Sequence, residues 1–299
     1  CGSAALMRRK YLLEGGGIAG DTITEDAETA LHLHNMGYNS AYMGKPMVCG
    51  LSPETFDRYI IQRTRWAEGM VQIFILKNPL LAKGMTIPQR LCYFNSCLFW
   101  FFGIARIIFY MGPALFLILG LNVYHASVSQ VIVYAMPHVL STFIVMAFFY
   151  GKFRRPFFSE IYESVQSIFI TPAVISTMLN PKKPSFKITP KGGEIKDEFI
   201  NPHATSFFMI ALINIAAIPL AVYKWFYYPL FRSVVLITFC WCVYNLILAI
   251  ITLGAFWERG QARNYHRARV KGYVDVFSPS LNQSIKGEIK DISLTGIGI

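Results

Sequence analysis

The stretch Asn95–Gly120, NSCLFWFFGIARIIFYMGPALFLILG, carries a single charged side chain, Arg106. A bilayer core takes about 20 helical residues to cross, so this stretch is long and apolar enough to span one. Three more apolar stretches follow, near 130–150, 204–223 and 233–255. The composition agrees. Of 299 residues 54% are hydrophobic and 15% charged, against about a quarter charged in ordinary soluble domains, and the mean hydropathy is +0.41. The fold class is therefore that of a multi-domain membrane protein with an α-helical transmembrane region.

The segments between the spans assign an orientation. Residues 121–129 contain no Lys or Arg, and 224–232 contain only Lys224 and Arg232. The opposite side carries Lys152, Arg154, Arg155, five lysines from Lys182 to Lys196, and then Arg259, Arg263, Arg267, Arg269 and Lys271. By the positive-inside rule both ends of the chain and segment 151–203 are expected to be cytoplasmic. The net charge of +11 sits beside apolar spans, which fits anionic membrane lipid rather than nucleic acid. Within the inner segment, Phe157–Leu179 is broken by Ser, Glu and Gln and contains Pro172. It reads as an amphipathic helix at the interface, followed by a Pro- and Lys-rich loop over 181–200.

Residues 1–90 read as soluble α/β material. A helix is expected after Thr24-Glu25-Asp26, with Ala27, Ala30, Leu31 and His34 at helical spacing and Gly37 as its stop. A short strand is expected near Ser40–Met43. Ser52 as N-cap and Pro53 at the first helical position predict a second helix running to about Leu76. After Arg269 a period-two pattern begins, with Ile285, Gly287 and Ile289 alternating with Lys286, Glu288 and Lys290, the signature of strands. The six cysteines show neither zinc spacing nor a secreted framework. The chain starts at Cys1 and stops at Ile299 within this strand pattern, so it is expected to be part of a longer protein.

Two groups of residues carry chemistry. Asp26, at a loop-to-helix junction, is a candidate general base for transfer from a nucleotide sugar; a plain first-turn acid is the alternative, common for such a triplet before a helix. Gln62, Arg65, Trp66 and Gly69 recur at i, i+3, i+4 and i+7 and share one helical face. Arg65 suits a diphosphate through forked hydrogen bonds, and Trp66 offers a flat face to a sugar. An amphipathic helix near a membrane, where Trp and Arg are enriched, is the competing account.

Cys1-Gly2-Ser3, Thr24-Glu25-Asp26 and Gln62-Arg63-Thr64-Arg65-Trp66, in that order and ahead of membrane helices, resemble the motifs of the processive family-2 glycosyltransferases. Phe186-Lys187-Ile188-Thr189-Pro190-Lys191 is similar to the FxVTxK gating loop of the bacterial cellulose synthase catalytic subunits, with Ile188 in place of valine. An arginine-rich linker followed by Asp291-Ile292-Ser293-Leu294-Thr295-Gly296 resembles the RxxxR and DxSxxG motifs of a PilZ domain, which binds cyclic di-GMP. The resemblance runs along the whole chain. It implies the C-terminal part of an α/β GT-A-like glycosyltransferase domain over 1–90, the transmembrane region over 91–256, and a linker with the start of a β-barrel PilZ domain over 257–299.

What the resemblance implies for the residues is specific. Asp26, with Thr24 and Glu25 beside it, is the general base toward the growing glucan. Gln62, Arg63, Arg65, Trp66, Cys1, Gly2 and Ser3 line the donor and acceptor sites. Phe186, Thr189 and Lys191 belong to a lid over UDP-glucose. Arg263 and Arg267, with Asp291, Ser293 and Gly296, hold cyclic di-GMP; Arg259 and Arg263 fit the RxxxR spacing as well, and the first pair is preferred. The family binds UDP and Mg2+ through aspartates, including a DxD motif, that are absent from this sequence and expected upstream of it, so this stretch alone is expected to be inactive. No metal ligands are assigned here. A bacterial inner-membrane location, a β-1,4-glucan product and a periplasmic cellulose synthase subunit as partner are implied in the same way.

Rival readings are a synthase of chitin, hyaluronan or another β-linked polymer, a catalytically inactive cyclic di-GMP receptor, and a transporter. The lid and PilZ motifs together weigh against the first, the intact Asp26, Arg65 and Trp66 against the second, and the first 90 residues against the third. His32 and His34 are expected at the surface rather than on a metal. Arg106, inside a span, is expected to line a channel, pair with a neighbouring helix or snorkel.

Overall fold

The computed structural model describes residues 4–45, 47–48, 52–121, 127–151, 155–184, 197–260, 267–278, 282–293 and 296–298. Cys1, Gly2, Ser3, Phe186, Thr189, Lys191 and Arg263 lie outside them. The chain divides into two compact units, Cys1–Gly192 with Phe199–Glu258, and Gly193–Glu198 with Arg259–Ile299.

The first unit is helical: α1 (Arg9–Glu14), α2 (Glu25–Asn35), α3 (Phe56–Gln72), α4 (Ile87–Leu98), α5 (Phe102–Leu119), α6 (Val128–Tyr150), α7 (Pro156–Leu179), α8 (Thr205–Tyr227) and α9 (Arg232–Leu253). Among the described residues four helical stretches are long and apolar enough to cross a membrane: Ile87–Leu119, Val128–Tyr150, Pro202–Tyr227 and Pro229–Phe256. The first is longer than its apolar run because α4 continues into α5 through a 3-10 turn at Phe99–Phe101.

Inside these spans the backbone must satisfy itself. Pro113 lacks the N–H that would bond Phe109 O, and the Asn245 side chain of α9 donates to that carbonyl instead at 2.9 Å. At the other end of α5, Gly120 takes φ +71° to end the helix. Lys224 Nζ donates to Phe116 O there at 3.0 Å, a cation at a helix C-terminus.

Helix α2 starts and stops where its sequence pattern places it, with Gly37 at φ +85°. Two expectations for this region are corrected. Helix α3 begins at Phe56 rather than Pro53, because Thr55 is the cap and accepts from Arg58 N at 3.4 Å. The strand expected at Ser40–Met43 is absent, and the described part of residues 1–90 contains no strand; a strand needs a partner for its backbone groups, and none lies among the described residues of that region. Past Gln72 the helix widens into a π turn, Ile73–Lys77.

Helix α7 is continuous through Pro172. It packs against α3 on one side and α5 on another, burying Ser164, Ser167, Ile170 and Val174. Gly103 of α5 admits it closely, since a Cβ there would come within 3.0 Å of Ser167 O. Arg106 of α5 meets two carboxylates of α7, Glu160 at 2.6 Å and Glu163 at 3.2 Å. Pairing with a neighbouring helix, one of three sequence-level alternatives, is the arrangement found.

The start of α3 is tied to the far end of the spans. Phe56 N donates to the buried Glu258 carboxylate at 2.6 Å, an anion at a helix N-terminus. Glu258 lies in β2 (Trp257–Glu258), which pairs antiparallel with β1 (Phe199–Ile200). Around this junction Phe56, Phe207 and Phe256 form the largest apolar cluster with Tyr110 and Leu248.

Among its described residues the second unit holds two antiparallel strand pairs, β3 (Tyr273–Ser278) with β4 (Gln283–Glu288), and β5 (Asp291–Ser293) with β6 (Gly296–Gly298). Ala268 bridges to Ile292, so the end of the basic linker is stitched to β5. The strands expected from the alternating pattern are present.

Candidate functional site

Helix α2 presents Glu25, Asp26 and Glu28 in its first turn, where carboxylates are favoured by the partial positive charge of a helix start. The loop ahead of it is bound mainly to α2 itself. Ala19 N donates to Thr29 Oγ1 at 3.0 Å and Thr22 N to Glu28 Oε2 at 2.8 Å. Glu28 is 3% exposed and also pairs with Lys77 Nζ at 2.9 Å. Lys77 reaches Asp21 as well; its hydrogen bond and charge hold the Asp21 carboxyl below the usual carboxylate range, and the two acids together raise the Lys77 amine.

Helix α3 closes on this loop with the stripe singled out by periodicity. At Gly69 an added Cβ would lie 2.9 Å from Thr24 Cβ and closer still to its methyl and hydroxyl, so only glycine lets Thr24-Glu25-Asp26 seat there. One turn further, Gln72 Oε1 accepts from Ile23 N at 2.9 Å. Arg65, Gly69 and Gln72 follow at i, i+4 and i+7, so the helix face carrying Arg65 is the one turned toward the acidic triplet. Asp26 is half-buried, while Glu25 is exposed.

Trp66 is partly buried and packs against the cluster formed by Ala67, Val71, Trp100, Ile170 and Val174. The Arg63 guanidinium covers its ring at 5.0 Å and the Tyr59 ring at 5.3 Å, within cation–π range. Arg63 thus builds the aromatic platform, and Gln62 is half-buried on the same helix.

An open cleft of about 810 Å³ borders the triplet. Gly20, Asp21, Thr22, Ile23 and Glu25 form one wall, Gln72, Leu76 and Lys77 another, and Lys182 and Pro184 the third. Asp26 is not among the lining residues. The cleft therefore opens on the Glu25 side, beside the segment that leads toward 185–196.

His34 is only half-exposed. Its Nδ1 shares a hydrogen bond with Tyr93 Oη at 2.8 Å and its Nε2 one with Ser40 Oγ at 3.1 Å. Burial pushes its imidazole below the ordinary value. Among the described residues no three His, Cys, Asp or Glu side chains gather to hold a metal.

In the second unit Arg267 Nη1 meets Asp291 Oδ1 at 2.6 Å. Ser293 Oγ donates to Gly296 O at 3.1 Å. The structure therefore brings four of the five residues assigned to a dinucleotide site onto one hairpin and the end of the linker bridged to it through Ala268.

Sequence reasoning missed Glu28, Gln72, Lys77 and Glu258. Gln72 was within reach, because it continues the Arg65–Gly69 periodicity by one step. The other three declare themselves only through partners distant in the chain.

The sequence model of the family described as Glycosyl transferase family group 2 matches residues 1–151. Among similar proteins are a cellulose synthase catalytic subunit (UDP-forming) of Pseudomonas fluorescens, 36% identical, and a cellulose synthase 1 catalytic subunit (UDP-forming) of Komagataeibacter xylinus, 37% identical. Both alignments cover 100% of this chain but only 41% and 40% of the relatives. A cellulose synthase 2 of Novacetimonas hansenii is 36% identical over 99% of this chain and 19% of its own length. The chain thus spans about two-fifths of the first two.

Proposed function

Since the chain belongs to the glycosyl transferase family group 2, we propose that it contributes the acceptor side of a processive synthase that builds β-1,4-glucan from UDP-glucose and moves it through the membrane. The observation that carries this reading is the seating of Thr24-Glu25-Asp26 against the Arg65–Gly69 face of α3. The loop end that opens the acidic triplet then meets the helix that carries Arg65 and Trp66.

In the proposed reaction the 4-hydroxyl oxygen of the glucan end attacks the anomeric carbon of glucose. The bond from that carbon to the diphosphate oxygen breaks, and UDP leaves with the electron pair. The hydroxyl proton passes to the Asp26 carboxylate. A single displacement inverts the anomeric centre. Arg65 stabilises the departing diphosphate, with charge-assisted bonds that strengthen as negative charge develops. Trp66, held flat by Arg63, stacks on the acceptor sugar, and Gln62 is assigned to the same site. Cys1, Gly2 and Ser3 are proposed near the acceptor, and Phe186, Thr189 and Lys191 over the donor. Mg2+ is expected from the resemblance, on ligands upstream of this stretch; the described residues offer no donor set for it.

Regulation by cyclic di-GMP belongs to the same proposal. The juxtaposed Arg267 and Asp291 support a dinucleotide site with Arg263, Ser293 and Gly296, and its occupancy would shift the enzyme toward an open, active population. The proposed setting is the bacterial inner membrane, with residues 1–90 and 257–299 cytoplasmic and a periplasmic subunit as partner.

The test is UDP-glucose incorporation by the full-length protein in inverted vesicles, with its partner subunit, with and without cyclic di-GMP. Polymer sensitive to a β-1,4-glucanase and rising with cyclic di-GMP is the expected result. Asp26→Asn should lower the rate by about 10²–10⁴-fold, the usual worth of a general base. No incorporation with cyclic di-GMP still bound would turn the reading toward a receptor. Polymer resistant to the glucanase would keep the transferase and change its product.

A further inference from the structure

We infer that Gln72 is a positioning residue, a pin that joins the loop leading into the proposed base to the C-terminal end of α7, and that turnover depends on both of its hydrogen bonds. This rests on the transferase reading above.

Gln72 is 3% exposed, and both ends of its amide are used. Oε1 accepts from Ile23 N at 2.9 Å, and Nε2 donates to Pro181 O at 2.8 Å. The two partners fix the orientation of the amide: a carbonyl can only accept and an N–H can only donate. The bonded groups lie 49 and 109 residues from Gln72 in the chain.

The position of these bonds matters more than their number. The bonds from Ala19 and Thr22 tie the loop to its own helix α2. The bond from Ile23 ties it to α3, three residues ahead of Asp26. Pro181 follows the last turn of α7, which ends at Leu179, and α7 packs along α3 and α5. Gln72 is therefore where three separately anchored elements meet beside the acidic triplet. Burying an amide without partners costs free energy, so if either bond is lost the Gln72 side chain must shift, and the Ile23 loop with it. A displacement of about 1 Å in a reacting group can cost up to about a hundredfold in rate.

Two variants separate the bonds. Gln72→Leu keeps the volume and removes both. Gln72→Glu retains the acceptor for Ile23 N–H but sets a carboxylate against Pro181 O. Initial rates of the full-length protein in vesicles, over a range of UDP-glucose, should show kcat reduced about tenfold in both variants, with KM changed less than about twofold. Hydrogen exchange on the full-length protein should quicken at 20–24 and at 180–183 together in Gln72→Leu, and at 180–183 in Gln72→Glu, with α8 and α9 unchanged as the control for folding. Wild-type kcat in either variant, a rise in KM at unchanged kcat, or exchange altered at only one of the two segments in Gln72→Leu would overturn the pin. A wild-type protein without transferase activity would sink the underlying reading instead, and the exchange arm would still decide whether Gln72 couples the two segments.

Discussion

At the scale of single residues, Gly69 sets how closely the acidic triplet approaches α3. A helical Gly→Ala change ordinarily stabilises, by about 0.8–1 kcal/mol of helix propensity. Here the added methyl would sit 2.9 Å from Thr24 Cβ and closer to both of its terminal atoms. Threonine is β-branched and stiff, so the loop rather than the side chain has to give way. Gly69→Ala should therefore lower transferase rate by about tenfold or more, although its helix gains propensity. Gly254→Ala, where a Cβ meets nothing within 4 Å, should keep the wild-type rate. Rates measured in parallel on the full-length protein check both, and a Gly69→Ala variant with full activity would refute the close seat. Asp26 itself was legible in the sequence as an acid at a loop-to-helix junction. Its surroundings were not, because Gly69 signals only a missing side chain, not what fills the space.

At the scale of elements, the helices and spans were readable because each is a continuous local pattern. Apolar runs of about 20 residues, a glycine stop at Gly37 and a 3.6-residue stripe on α3 need no distant partner to be recognised. The start of α3 was misread for a related reason: Ser52-Pro53 and Thr55 both satisfy local capping rules, and the docking of Phe56 on Glu258, 202 residues away, is invisible locally. The strand expected near residue 40 failed likewise, since strand pattern does not guarantee a neighbour. Arg106 shows what such long-range pairing does energetically. Its side chain is 13% exposed and pairs with both Glu160 and Glu163, themselves one turn apart on α7. Arg106→Leu alone leaves two carboxylates crowded against an apolar span and should destabilise by about 1–3 kcal/mol, less than a fully buried pair because Glu160 remains partly solvated. Replacing Arg106, Glu160 and Glu163 together by leucine should recover most of that loss, since desolvation then vanishes with the charges. Thermal inactivation of the detergent-solubilised full-length protein gives the comparison; equal loss in the single and triple variants would show that the triad acts by packing rather than charge.

At the scale of the molecule, the two basic residues that run against the charge asymmetry turn out to be tied to the protein. Lys224 donates to Phe116 O at the end of α5 and lies over the Phe116 ring. Arg232 donates to Trp225 O and lies over the Trp225 ring. Both are engaged with helix-end carbonyls and aromatic faces, as cations at an interfacial belt should be. The proposed orientation therefore rests on the lysines and arginines of 152–155, 182–196 and 259–271, and with them inside the 229–231 turn would be outside and Lys182 inside. In a full-length background without native cysteines, Leu230→Cys, at a turn position 96% exposed, should react with a membrane-impermeant maleimide added to cells with a permeabilised outer membrane. Lys182→Cys should react only in inverted vesicles. The reverse pattern would place the acidic triplet and the Arg65 face on the side away from cytoplasmic nucleotide sugar, and the proposed donor could not reach them. Topology and chemistry thus stand on one measurement, because a base at Asp26 is useful only on the side where UDP-glucose is found.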